Sequence, residues 1–333
     1  MTAATKIWAS VAGPRSAVRQ VLVRRGPLLV FALLLAYLAW QSPVFLSPTN
    51  ILASLTQAAP IAIVAFGLVA VVMGGGDDVV VGGIDLSVPA TAALATAILS
   101  DQLTNAGASF AWAMLLATGA ALAVGVVNAV LVTRIGLTSI LATLATFSAV
   151  VGITRVLTSN RRITVEDPVA LMIRDGQVLG IPNSVWLMLA AAAVFTFLMH
   201  QTAFGMHVQA VGGNREAATT SGIRPRPHIA MTFLIAGAAA AVASLALVAR
   251  GSGSSPGIED LLLVDMLLAG FLGAAFSPRN VVTIPGAMLG AIFVALLSNG
   301  LILIQVNNSW ILGLKGVLIL IVVSAAALQG RSR

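Results

Sequence analysis

From Ile51 to Met73 the chain carries no charged side chain, and apolar runs of this kind recur to its end. About 20 apolar residues in helical form span the roughly 30 Å hydrocarbon core of a bilayer. In that medium each peptide N–H and C=O must be paired within its own segment, which leaves helices as the natural spanning unit. Composition points the same way: 59% of residues are hydrophobic and 9% are charged, against about 25% charged in a soluble domain. Cysteine is absent, which removes disulfides and thiolate metal sites. His200, His207 and His228 show no ligand spacing. No cofactor, metal or catalytic constellation is expected, and the chain does not read as an enzyme.

The runs divide best into ten spans, at about 27–46, 50–73, 83–100, 109–132, 137–157, 185–201, 229–249, 261–276, 281–304 and 311–329. The expected fold is an all-α polytopic membrane protein of about ten transmembrane helices. A short N-terminal segment, 1–26, precedes a transmembrane domain over 27–329. That segment is basic, with Lys6, Arg15, Arg19, Arg24 and Arg25, and an apolar run follows as in a signal peptide. No small-x-small cleavage site closes the run, so it reads as a retained first helix. With the amino terminus in the cytoplasm, twelve of the 18 Lys and Arg fall on the cytoplasmic side. The net charge of +7 is therefore topological information and not a nucleic-acid footprint. The third span is the least regular, because it holds Asp85 and Pro89.

Two polar stretches interrupt the pattern. Thr158–Ser184 has mixed charge, with Arg161, Arg162, Glu166, Asp167, Arg174 and Asp175, and reads either as a contact surface or as a solvated cap on the external side. Thr202–Pro227 would lie in the cytoplasm. There Asn214 can cap a short helix, Arg215-Glu216-Ala217-Ala218 can form it, and Gly222 can end it. Such a helix between two spans suits docking to another protein, although a solvated joining loop reads equally well from the residues alone.

Gly74–Leu86 reads GGGDDVVVGGIDL. A phosphate loop is excluded by the missing Gly-Lys-Ser/Thr and by Asp77, Asp78 and Asp85, which would repel a phosphate. A broken helix fits better, since non-helical backbone at membrane depth survives where protein buries it or water lines it. Asp85, followed by Ser87, either caps the next helix or serves the transported solute. A carboxylate at that depth is costly without a role. Asn128, Thr143, Thr146, Asp265 and Asn299 are further polar residues in apolar runs, placed to line a path or to bond neighbouring helices. Gly286–Gly290 is a GxxxG spacing that permits close helix packing.

Two motifs carry a resemblance. Phe204-Gly205, Ala210-Val211-Gly212-Gly213-Asn214, Glu216-Ala217-Ala218 and Ser221-Gly222-Ile223 resemble the cytoplasmic coupling segment of ribose-type ABC importer permeases, the group serving ribose, xylose, arabinose and galactosides. Gly82-Gly83-Ile84-Asp85-Leu86-Ser87-Val88 is similar to a second signature of that family. The likeness runs from about Ile51 to Leu328. It implies a permease in the bacterial inner membrane that translocates a sugar or similar small polar solute. The implied partners are a cytoplasmic ATP-binding subunit, a periplasmic substrate-binding protein, a second permease chain (identical or related) and membrane lipid. It further implies that Gly212, Gly213, Asn214, Arg215, Glu216, Ala217, Ser221 and Gly222 couple the chain to the ATPase. The sequence departs from the family pattern at Gly270–Arg279, where Phe271 and Phe276 replace a glycine-rich, polar stretch. The alternative class is a secondary transporter or channel using Asp85 or Asp265 without an ATPase; the docking segment favours the importer.

An offset of 171 positions aligns Gly119-Ala120 with Gly290-Ala291, Asn128 with Asn299, and Ile140-Leu141 with Ile311-Leu312. In the ten-span arrangement the fourth and ninth helices run in opposite directions, which predicts an inverted repeat of spans two to five and seven to ten. The two asparagines are then expected at equivalent positions, fixing helix breaks beside the path.

Overall fold

The computed structural model describes residues 29–75, 83–277 and 281–330. The cytoplasmic start expected over 1–26, together with Asp77, Asp78, Gly82, Pro278 and Arg279, lies outside the described residues. Each predicted span contains a helix: α1 (Leu29–Gln41), α2 (Pro48–Gly75), α3 (Val88–Thr104), α4 (Phe110–Val130), α5 (Ser139–Leu157), α6 (Pro168–Asp175) on a connecting segment, and α7 (Asn183–His200). After α7 come two short helices, α8 (Ala203–Gly213) and α9 (Arg215–Thr220), then α10 (Pro225–Gly251), α11 (Ile258–Ala275), α12 (Ile284–Leu303) and α13 (Asn308–Gly330). A π turn, Leu131–Ile135, extends α4 and ends at Gly136 in the left-handed region. Among the described residues six helices, α2, α4 with its π turn, α5, α7, α10 and α12, are long and apolar enough to cross a membrane. The chain is an all-α polytopic membrane protein. Helix α3 begins five residues later than the predicted third span, because Gly83–Ser87 is not helical. Helix α11 is apolar apart from Glu259, Asp260 and Asp265.

Polar residues set the helix starts where backbone N–H groups lack intrahelical partners. Ser109 accepts from Trp112 N at the start of α4. Thr283 accepts from Gly286 N at 3.1 Å at the start of α12, and Pro285 sits in the first turn, where a missing N–H costs nothing.

Helices α2 and α10 form the centre and are buried along most of their length, whereas α4 and α5 turn most of theirs outward. Helix α10 lies on α2, α4 and α3; α2 lies on α10, α12 and α11; α5 packs on α3, and α13 packs on α11. Close approach in the core depends on small residues. A Cβ on Gly125 would stand 2.6 Å from Phe233 O, and one on Gly237 would stand 2.6 Å from Ala121 O, so α4 and α10 cross backbone to backbone. Outward faces carry large apolar side chains, among them Trp112, Leu115, Leu144, Val156 and Leu320, as a surface solvated by lipid requires.

The segment between α5 and α7 is fastened down. Ile163–Thr164 pairs antiparallel with Gly253–Ser254 after α10. Thr104 Oγ1 donates to Thr164 O at 2.8 Å, Val165 N to Ser252 O at 3.0 Å, and Arg162 to Gly251 O. Arg174 Nη1 reaches Ser252 Oγ at 3.2 Å. Hydrogen bonds from the same guanidinium hold the neighbouring Asp175 carboxyl below the usual range. This pair is exposed, so solvent screens most of its contribution to stability.

Candidate functional site

The non-helical stretch Gly83–Ser87 lies inside the bundle and is anchored from three directions. Gly83 must be glycine, since a Cβ there would meet Val71 O at 2.7 Å. Asp85 Oδ1 accepts from Ser87 N at 2.8 Å and from Ser87 Oγ at 2.6 Å, which fixes the turn entering α3. From α4, Asn128 Nδ2 donates to Ser87 Oγ at 2.7 Å. From α5, Ser139 Oγ donates to Ile84 O at 2.8 Å. Thr143 Oγ1 accepts from Leu86 N at 3.1 Å while donating to Ser139 O at 2.8 Å. Three backbone groups of the break, Ile84 C=O, Leu86 N–H and Ser87 N–H, are thus paired by side chains, as a membrane interior demands.

Asp85, Ser87, Asn128 and Thr143 are all buried. The space among Asp85, Ser87, Thr91, Asn128 and Gly237 leaves no room for a water molecule. Among the described residues no cation pairs with Asp85, and Asn128 Oδ1 has no partner. The cluster holds a break in a helix; as it stands it contains no ligand-sized cavity.

Of the residues singled out from sequence, these four are brought together, and Thr146 lies one turn beyond Thr143 on α5, donating to Ala142 O at 2.9 Å. The other two lie elsewhere. Asp265 Oδ1 accepts from Lys315 Nζ at 2.6 Å, both side chains being nearly buried. Asn299 Nδ2 donates to Asn50 Oδ1 and Ser54 Oγ, each at 2.7 Å. The two asparagines thus bond to different elements: Asn128 to the turn before α3, Asn299 to the first turns of α2. Sequence reading missed Ser139, although it stands four residues before Thr143 on one helix face. It missed Lys315 too, the one charged side chain between Asn308 and Gly330.

At one end of the bundle α8 and α9 form the second candidate site. Thr202 Oγ1 accepts from Gly205 N at 3.1 Å and starts α8. Asn214 Oδ1 accepts from Ala217 N at 2.9 Å and starts α9. Helix α9 closes with Ile223 N donating to Ala218 O and Gly222 N to Thr219 O, each at 3.0 Å. Gly222 at φ 83 supplies the left-handed residue that this closure needs. Gly212 is half-buried, while Gly213, Asn214, Arg215, Glu216, Ala217, Ser221 and Gly222 are exposed; Ala218 is buried and seats the helix. Phe204 of α8 stacks on His228 of α10 at 5.9 Å, and His207 meets the same ring edge-on at 5.3 Å. Helix α8 is thereby fastened to the central helix α10. Among the described residues no three potential metal ligands converge.

The chain belongs to the family described as branched-chain amino acid transport system / permease component, which matches residues 50–323. It is 32% identical over 305 residues to the ribose import permease protein RbsC of Bacillus subtilis (strain 168), covering 91% of this chain and 92% of that one. Against the L-arabinose ABC transporter permease protein AraH of Azospirillum brasilense it is 30% identical over 312 residues, 93% of this chain and 89% of that one. Against the galactofuranose transporter permease protein YtfT of Escherichia coli (strain K12) it is 32% identical over 270 residues, 80% and 73% of the two chains. The resemblance to ribose-type ABC importer permeases holds, and the chain is a transmembrane permease subunit of an ABC importer. No solved structure matches the chain.

Proposed function

We propose that this permease imports a sugar or similar small polar solute across the bacterial inner membrane, with ATP hydrolysed by a separate cytoplasmic subunit. The names of the relatives, which carry ribose, L-arabinose and galactofuranose, support the solute class. A periplasmic substrate-binding protein delivers the solute, and a second permease chain, identical or related, completes the path. The observation that carries the coupling reading is helix α9. It is capped at both ends, exposed on its Arg215-Glu216-Ala217 side and seated on the bundle through Ala218, which is how a rigid docking knob is built.

In this reading ten helices cross the membrane, residues 1–26 and the coupling segment 202–227 are cytoplasmic, and the 158–184 segment faces outward. Spans two to five and seven to ten form inverted halves. Supporting this, α4 rests on α10 as α12 rests on α2, and α5 on α3 as α13 on α11. Asp85, Ser87, Asn128, Thr143 and Thr146 flank the path and keep the break before α3 in place; Asp265 and Asn299 act in the other half through their own polar partners.

Copurification tests the coupling reading. Tagged wild-type permease, coexpressed with the ATP-binding subunit from its own genome, is expected to retain that subunit in detergent. An Ala218→Glu variant, which unseats α9, and a Glu216→Lys variant, which reverses an exposed charge, are expected to lose it at normal permease levels. Retention by both variants contradicts docking through α9.

A further inference from the structure

Lys315 and Asp265 stand apart from the broken-helix cluster and from the docking segment. Each lies seven residues into its helix, so each is about 10 Å from the start of α13 or α11 at 1.5 Å per residue. Lys315 is the one charged side chain of α13, and Asp265 the one charged side chain of α11 beyond its first turn. They meet at 2.6 Å with both side chains largely withdrawn from the surface. Either charge alone at that depth would be costly. Net stability, however, is a weak reason to have the pair, because apolar residues of similar volume do as well or better. What an ion pair adds is direction: it is satisfied in one register of two helices, whereas apolar ridges tolerate sliding and rotation.

Helix α13 needs such a constraint. It packs mainly on α11 and only lightly on α12, and it turns Leu312, Val317, Leu320 and Ile321 outward. The corresponding helix of the other half, α5, is held by Ser139 and Thr143 to the turn before α3. Each half thus fastens its last helix to its second, or to the turn that enters it, through buried polar groups, by hydroxyls in one and by charges in the other.

We propose that the Lys315–Asp265 ion pair is a register pin that locks α13 to α11, so that the two helices move as one body during transport. This rests on the importer reading for its consequence and on geometry alone for the pin. Asp265 is accordingly a positioning residue, engaged by Lys315 and not by the transported solute.

The test uses the full chain in lipid nanodiscs. With cysteine absent from the sequence, Leu261→Cys on α11 and Leu312→Cys on α13 accept spin labels specifically, and electron–electron distances are then measured. The unaltered pair should give one narrow distance. Asp265→Asn and Lys315→Met should each broaden it, whereas the charge-keeping Lys315→Arg should leave it narrow. The apolar double variant, Asp265→Leu with Lys315→Met, guards against misfolding: it should insert at wild-type levels yet keep the broad distribution. In a complex with the ATP-binding subunit and solute-loaded binding protein, the same double variant should lose the stimulation of ATP hydrolysis that loaded binding protein gives wild type. A narrow distance in the apolar double variant, or in both single variants, overturns the pin. Absence of stimulation in the wild-type complex would instead count against the importer reading, and the label distances, which need no partner, would still decide the pin.

Discussion

Replacing Asp85 by alanine removes one acceptor from two buried donors, Ser87 N at 2.8 Å and Ser87 Oγ at 2.6 Å. Neither donor has water beside it, because the surrounding side chains close on one another. A buried donor left without a partner costs about 1–3 kcal/mol. The Ser87 hydroxyl can rotate in search of another acceptor, but the Ser87 amide cannot, so the loss should come to about 2–4 kcal/mol. Asparagine keeps an oxygen where Oδ1 stands and forfeits only the charge assistance, so Asp85→Asn should cost about 1 kcal/mol. Thermal unfolding of the purified permease in detergent measures both, and solute uptake by cells carrying each variant is measured alongside. Alanine is expected to lower the unfolding midpoint clearly and to abolish uptake, with asparagine near wild type in stability. If the carboxylate charge itself serves translocation, asparagine will keep the midpoint and lose uptake. A wild-type midpoint and wild-type uptake for alanine would refute the claim that Asp85 organises the break.

Other perturbations address the exposed helix α9 and the helix crossing. Glu216→Lys should leave insertion and unfolding unchanged, since the side chain is exposed, while solute uptake falls because the ATP-binding subunit no longer docks; normal coupled uptake would remove Glu216 from the docking surface. Gly237→Ala places a methyl group 2.6 Å from Ala121 O and must push α4 from α10, at a cost of about 1–3 kcal/mol in unfolding. Gly222→Ala puts a side chain at φ 83, which should cost about 1–2 kcal/mol of local stability. Faster amide exchange over residues 215–223 would report it, and unchanged exchange would argue against the closure described for α9.

Helix α9 is legible because its signals are local: Asn214 caps three residues ahead and Gly222 ends the helix within the same short stretch. Asp85, Asn128 and Thr143 were each legible as polar residues in apolar surroundings, where a side chain without a partner is expensive. Their convergence was not, because Asn128 meets Ser87 across 41 positions and Thr143 meets Leu86 across 57. Such pairings depend on how α3, α4 and α5 pack, and helical periodicity is silent on that. Asp265 reads from sequence either as a path residue or as one half of a structural pair, because its partner Lys315 lies 50 positions away. The stretch 158–184 reads as a loop by composition, yet Ile163–Thr164 pairs with Gly253–Ser254, a long-range ladder too short to leave a strand pattern. The start of α3 was misplaced for a local reason: Gly83 and Asp85 hold the chain out of a helix, although the apolar run continues through them.

Uptake into sealed proteoliposomes tests the central claim most directly. Purified permease is reconstituted alone, or with its ATP-binding subunit and solute-loaded binding protein, and labelled ribose, arabinose or galactose is offered with and without ATP. The account predicts accumulation of a sugar only when all three components and hydrolysable ATP are present. Accumulation by the permease alone, driven by an imposed ion gradient and indifferent to ATP, would contradict it.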